Sequence, residues 1–124
     1  MSRLLAVNPV IAVRDVRRAA RWYCNMLGFE PRFVDDDEAP RYGAVGRDGV
    51  ELHFQWHGPD EWASGLTTSM YRFLIDDPGT LFGELAGRGA IPRGRQITVT
   101  AWGTREFGLH DPDGNTLVFY RNVR

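Results

Sequence analysis

Glu51 and His53 stand two residues apart in the run Val50 to Trp56, and Glu106 and His110 stand close together near the C-terminus. On an extended strand a spacing of two puts both side chains on one face. A carboxylate beside an imidazole can do acid–base work, or with further donors can hold a divalent metal. Glu51 and His53 could seed an unusual metal site with Glu106 or His110, although such side chains more often end hydrogen-bonded or solvated. Trp102, followed by Gly103 and then Arg105 and Glu106, offers an indole face that could stack on a flat ligand ring. Its structural reading is that it closes the alternating run Ile97, Val99, Ala101. Cys24 is the only cysteine, so neither a disulfide nor a thiolate cluster is available, and it reads as a small core residue. Asp111-Pro-Asp-Gly114 reads as turn chemistry and Asp35–Glu38 as a wet acidic loop.

The totals restrict the functions open to these residues. The chain has 124 residues, 43% of them hydrophobic and 25% charged, which suits one folded domain over residues 1–124. A formal net charge of −1 with scattered arginines argues against nucleic acid as a partner. No apolar run approaches the roughly 18 residues of a membrane span. The opening MSRLLAVNPV is interrupted too soon for a secretory signal, so the cytoplasm is the expected location.

Two stretches repeat one order of elements, giving expected halves of 1–60 and 61–124. In the first, Ile11 and Val13 alternate, Asp15 is placed to cap a helix, and Gly28 to end it. Between them Val16, Ala19, Ala20, Tyr23, Met26 and Leu27 recur at helical spacing. The second half opens on Tyr71–Asp76; Asp77-Pro78 starts its helix, Leu81, Phe82, Leu85 and Ala86 form the apolar stripe, and Gly89 stops it. Both halves then end alike, with Tyr42–Phe54 matching Phe107–Phe119 as strand, turn and strand. The pattern predicts a duplicated βαβββ unit joined by a linker near His57-Gly58-Pro59. If Val50, Leu52 and Phe54 face a helix, then Asn8, Glu51, His53, Gln55, Met70, Arg72, Glu106, His110, Thr116 and Val118 share the opposite face.

Val7–Val16, Trp22-Tyr23, Leu27-Gly-Phe29, Arg32–Asp36, Gly46–Leu52 and above all Trp102–Asn115 together resemble the glyoxalase/bleomycin-resistance/dioxygenase superfamily (the vicinal oxygen chelate superfamily). The resemblance covers nearly the whole chain, and Trp102-Gly with Arg105-Glu-Phe107 points to its bleomycin-resistance-like branch. It implies an α+β fold of two βαβββ modules, with U-shaped mixed sheets and helices on the outer face. It also implies a homodimer whose ligand cups are completed across the interface. Enzymes of the superfamily hold a metal at four positions, which here read Asn8, Glu51, Met70 and Val118. Only Glu51 among these could ligate strongly, so neither a metal nor another cofactor is expected.

The resistance-like branch implies a metal-free protein that sequesters an aromatic, cationic antibiotic or metabolite. The candidate ligand-binding residues are Trp102, Phe33, His53, Gln55, Trp56, Trp62, Arg105 and Glu106, and none is expected to be catalytic. One alternative is a lyase or dioxygenase of the superfamily using an unusual metal or acid–base site; another is a carrier or interaction module with a degenerate cup. The sequence pI of about 6.3 gives little of the long-range attraction an acidic protein exerts on a cation.

Overall fold

The computed structural model describes residues 1–123. In chain order the elements are β1 (Val10–Val13), α1 (Val16–Leu27), β2 (Glu30–Val34), β3 (Tyr42–Arg47), β4 (Val50–Trp56), α2 (Pro59–Ala63), β5 (Met70–Leu74), α3 (Pro78–Gly87), β6 (Thr98–Val99), β7 (Thr104–His110) and β8 (Thr116–Asn122). They make two four-stranded mixed sheets, β1-β4-β3-β2 and β5-β8-β7-β6. Each has a parallel pair, β1 with β4 and β5 with β8, followed by an antiparallel meander. The duplicated βαβββ reading is therefore the observed α+β fold. Among the described residues no helix is long and apolar enough to cross a membrane.

Local chemistry sets each element. Asp15 accepts from the Arg18 amide at the start of α1, and Val16, Ala19, Tyr23 and Leu27 turn one buried stripe to the sheet. Gly28, at φ 72°, closes the helix in the left-handed region, returning its N–H to the Tyr23 carbonyl. Asp77 caps α3, with Pro78 in the first turn. Asp48 and Gly49, at φ 53° and 79°, make the tight β3–β4 turn.

Three details differ from the sequence expectation. Val50, expected under the helix, is 44% exposed because it opens β4 beside that turn. The expected linker contains a short helix, α2, so the 60/61 boundary falls inside an element. The third helix stops at Gly87 with Arg88 as its cap, before Gly89.

The helix sides of both sheets merge into one core. Ile11, Tyr23, Leu52 and Phe54 from the first module join Leu85, Phe107, Leu117 and Phe119 from the second. Polar locks span the seam. Tyr23 donates its hydroxyl to the buried Asp111 at 2.7 Å, and Asn115 donates to the Ala12 carbonyl at 3.1 Å. Arg14 and Arg18 reach Asp113 Oδ1 at 3.3 and 2.9 Å, while Asp113 Oδ2 is buried without a hydrogen-bond partner among the described residues. Arg47 grips Glu84 of α3 with two bonds of 2.8 and 2.7 Å and also donates to the Leu27 carbonyl.

Candidate functional site

The face of the first sheet turned away from α1 carries an ordered polar and aromatic group. Pairing of β3 with β4 sets Tyr42 opposite Gln55, Ala44 opposite His53 and Gly46 opposite Glu51. Tyr42 Oη lies 2.7 Å from His53 Nδ1, and His53 Nε2 lies 2.7 Å from Glu51 Oε2. Phe33 of β2 stacks on Tyr42 with centroids 6.4 Å apart and planes 15° apart, and meets His53 edge-on at 5.7 Å. Phe33 stays 47% exposed, so this array borders open space. A bulge between Pro31 and Phe33 sets Phe33 opposite Ala44, on the same face as His53. Gln55 is exposed at the edge of the group.

The matching face of the second sheet is built differently. Glu106 of β7 takes bonds from Thr104 at 2.6 Å and Arg72 at 3.2 Å, and the Arg72 guanidinium lies 4.3 Å from the Tyr120 ring centroid. Burial would raise the Glu106 carboxyl, but the Thr104 and Arg72 bonds, the Arg72 charge and Trp102 together hold it below the usual carboxylate range. Trp102 does not close a strand. It sits in the turn between β6 and β7, where Thr100 and Thr104 pair and Gly103 takes φ 87°, and it is 64% exposed. The strand reading fails because ladder pairing on β6 ends at Val99.

Three candidates lie elsewhere. Trp56 shares parity with Leu52 and Phe54, so it faces the α1 side, where Arg41 lies 5.1 Å over its ring. Trp62 belongs to α2; it donates to the His57 carbonyl and takes the Arg14 guanidinium 3.9 Å over its ring. Arg105 shares parity with Phe107, which packs edge-on against Phe82 of α3, and its charge acts on Asp77 at the α3 cap. Strand alternation thus sets Trp56 and Arg105 on the opposite faces of their sheets from His53 and Glu106. Tyr42, which sequence reasoning left out, belongs with His53; the signal was its parity on β3, legible only once the β3–β4 register is known.

The four positions matching superfamily metal ligands also take definite places. Asn8 donates to the Glu51 carbonyl at 3.3 Å, Glu51 bonds His53, Met70 is 60% exposed and Val118 is buried. His110 bonds Thr116 on the second sheet, apart from Glu51 and His53 on the first. Among the described residues no three His, Cys, Asp or Glu side chains gather as a metal site.

Between the modules runs a groove of about 830 Å³, lined by Leu27, Phe29, Leu52, Leu81 and Phe119, by the whole of β5 and by Val7–Pro9. The preceding arm leaves Leu4, Leu5 and Val7 almost fully exposed.

Comparison with known proteins agrees with this architecture. A bleomycin-binding protein from bleomycin-producing Streptomyces verticillus, solved with copper(II)-bleomycin, superposes with a TM-score of 0.70 at 27% identity, over 96% of this chain and 97% of that one. TioX from Micromonospora sp. ML1 shares the fold with a TM-score of 0.77 at 20% identity, over 93% and 96% of the two chains. A bleomycin resistance protein of Geobacillus stearothermophilus is 21% identical over 98% of this chain and 99% of its own. The family model of the glyoxalase/bleomycin resistance protein/dioxygenase superfamily matches residues 5–119, and the chain belongs to that superfamily, its relatives supporting the bleomycin-resistance-like branch.

Proposed function

We propose that this protein binds and sequesters a bleomycin-type ligand, a flat aromatic molecule carrying positive charge, without metal or catalysis of its own. The observation that carries the reading is the grouping of exposed rings with carboxylates on the open faces: Phe33 against His53, which bonds Glu51, and Trp102 in the turn next to Glu106. An indole or phenyl face takes a planar ring, and a cation gains further from both the ring and the carboxylate. The Streptomyces verticillus relative, solved with copper(II)-bleomycin, supports that ligand class.

We further propose a homodimer. Phe33 and Trp102 lie on different sheets, and no hydrogen bond, ion pair or ring contact joins their groups among the described residues. A second copy facing its second sheet to the first sheet of this one would bring the two halves into one cup. The exposed arm at Leu4, Leu5 and Val7 and the unpaired edge of β5 supply apolar surface and backbone donors for such an interface. Thermal denaturation with and without bleomycin tests the ligand assignment. Binding to the native state should raise the melting temperature in proportion to the logarithm of ligand concentration. No shift at any bleomycin concentration up to millimolar would contradict it.

A further inference from the structure

We propose that Tyr42, His53 and Glu51 form a hydrogen-bond-accepting subsite that receives the aromatic ammonium or amidinium group of a ligand seated on Phe33. The proposal deepens the ligand assignment above by naming the group recognised and the atoms that recognise it. Its logic is the count of hydrogens. A neutral imidazole carries one N–H and one lone pair. The Glu51 carboxylate only accepts, so at 2.7 Å His53 Nε2 must carry the hydrogen. With the ring neutral, Nδ1 is a lone pair, and Tyr42, 2.7 Å away, spends its only hydrogen on it. What Tyr42 Oη has left to offer a ligand is lone pairs. Glu51 Oε1 has no partner among the described residues and offers the same.

Two donors lie nearby. Asn8 gives its amide N–H to the Glu51 carbonyl, and the Arg32 guanidinium lies against Gly46 and pairs with Glu30 at 3.7 Å. On the other sheet Glu106 Oε1 already receives both Arg72 and Thr104. On the first sheet Tyr42 Oη and Glu51 Oε1 keep accepting capacity unspent. Phe33, nearly parallel to Tyr42, supplies a ring face beside those lone pairs, where a flat delocalised cation gains contact, hydrogen bonds and ring attraction together. A carboxylate placed there would meet lone pairs only.

Two measurements test this independently. The first is ¹⁵N NMR of the histidine side chains in the ligand-free protein at neutral pH, with the His53 signals assigned by their loss in His53→Gln. The expected result is a neutral ring protonated at Nε2; a ring protonated at Nδ1, or at both nitrogens, overturns the subsite whatever bleomycin does. The second is an NMR titration with benzamidine and with benzoate. Benzamidine should bind at Phe33 and Tyr42 and benzoate should not. Tyr42→Phe, which keeps the ring, should weaken benzamidine about tenfold or more, the usual effect of deleting a hydrogen bond to a charged group. Equal binding of the two probes, no binding of benzamidine, or an unchanged affinity in Tyr42→Phe overturns the proposal. Bleomycin failing to bind while His53 and benzamidine behave as expected would sink the bleomycin assignment and leave the subsite standing.

Discussion

Trp102 is held by backbone, not by packing. Its turn is fixed by the Thr100–Thr104 pair and by Gly103, while 64% of the residue faces solvent. Removing the indole should therefore change stability by no more than about 0.5 kcal/mol, as for other exposed side chains. Loss of a stacking surface for a ligand ring should weaken binding by roughly 1–2 kcal/mol. Melting temperature and bleomycin affinity measured together on Trp102→Ala check this; a large fall in melting temperature, or an unchanged affinity, would show that the indole does something else. The face His53 takes was legible in the sequence from strand parity, because alternation survives any error in strand ends, whereas Phe33 was named only through the resemblance of its segment to the family's groove. Tyr42 was not legible, because its role depends on which residue of β4 lies across from it. Trp56 is close to His53 in number but odd by one step, and one step on a strand is the other face.

At the scale of elements, most of what could be read was local. Asp15, Gly28, Asp77-Pro78 and Asp48-Gly49 each act on the few residues beside them, so their spacing in the chain sufficed to place both main helices and the β3–β4 turn. The contacts that fix one module on the other are spread over the sequence and left no such trace. The clasp of Arg47 on Glu84 is one of them, 37 residues apart and joining β3 to α3. The Arg47 hydrogen bonds, aided by its charge and by Arg88, lower the Glu84 carboxyl below its ordinary range. A carboxyl lowered on folding stabilises the protein above its unfolded range, and that contribution fades as pH falls through the folded value. Both side chains are partly exposed, so solvent screening limits the clasp to roughly 0.5–1 kcal/mol. Glu84→Gln should accordingly be less stable than the wild type at neutral pH. The gap should close as pH drops below the ordinary glutamate range. A gap independent of pH, followed by urea unfolding, would show that the clasp contributes no charge interaction.

At the scale of the whole molecule, duplication gives two similar sheets with unlike open faces, one with Tyr42, His53 and Glu51 beside Phe33 and one with a carboxylate bonded by Arg72 and Thr104 near Trp102. The account requires a ligand to use both, the first from one copy and the second from another. Complementation between two single variants measures this most directly. Phe33→Ala and Trp102→Ala are each titrated calorimetrically with bleomycin, alone and then after equimolar mixing and subunit exchange. In a mixed dimer with cups built across the interface, one cup carries both substitutions and the other carries neither. The account predicts weak binding by either variant alone and, in exchanged mixed dimers, recovery of about one site of wild-type affinity per dimer. A mixture that binds no better than its two components would contradict it.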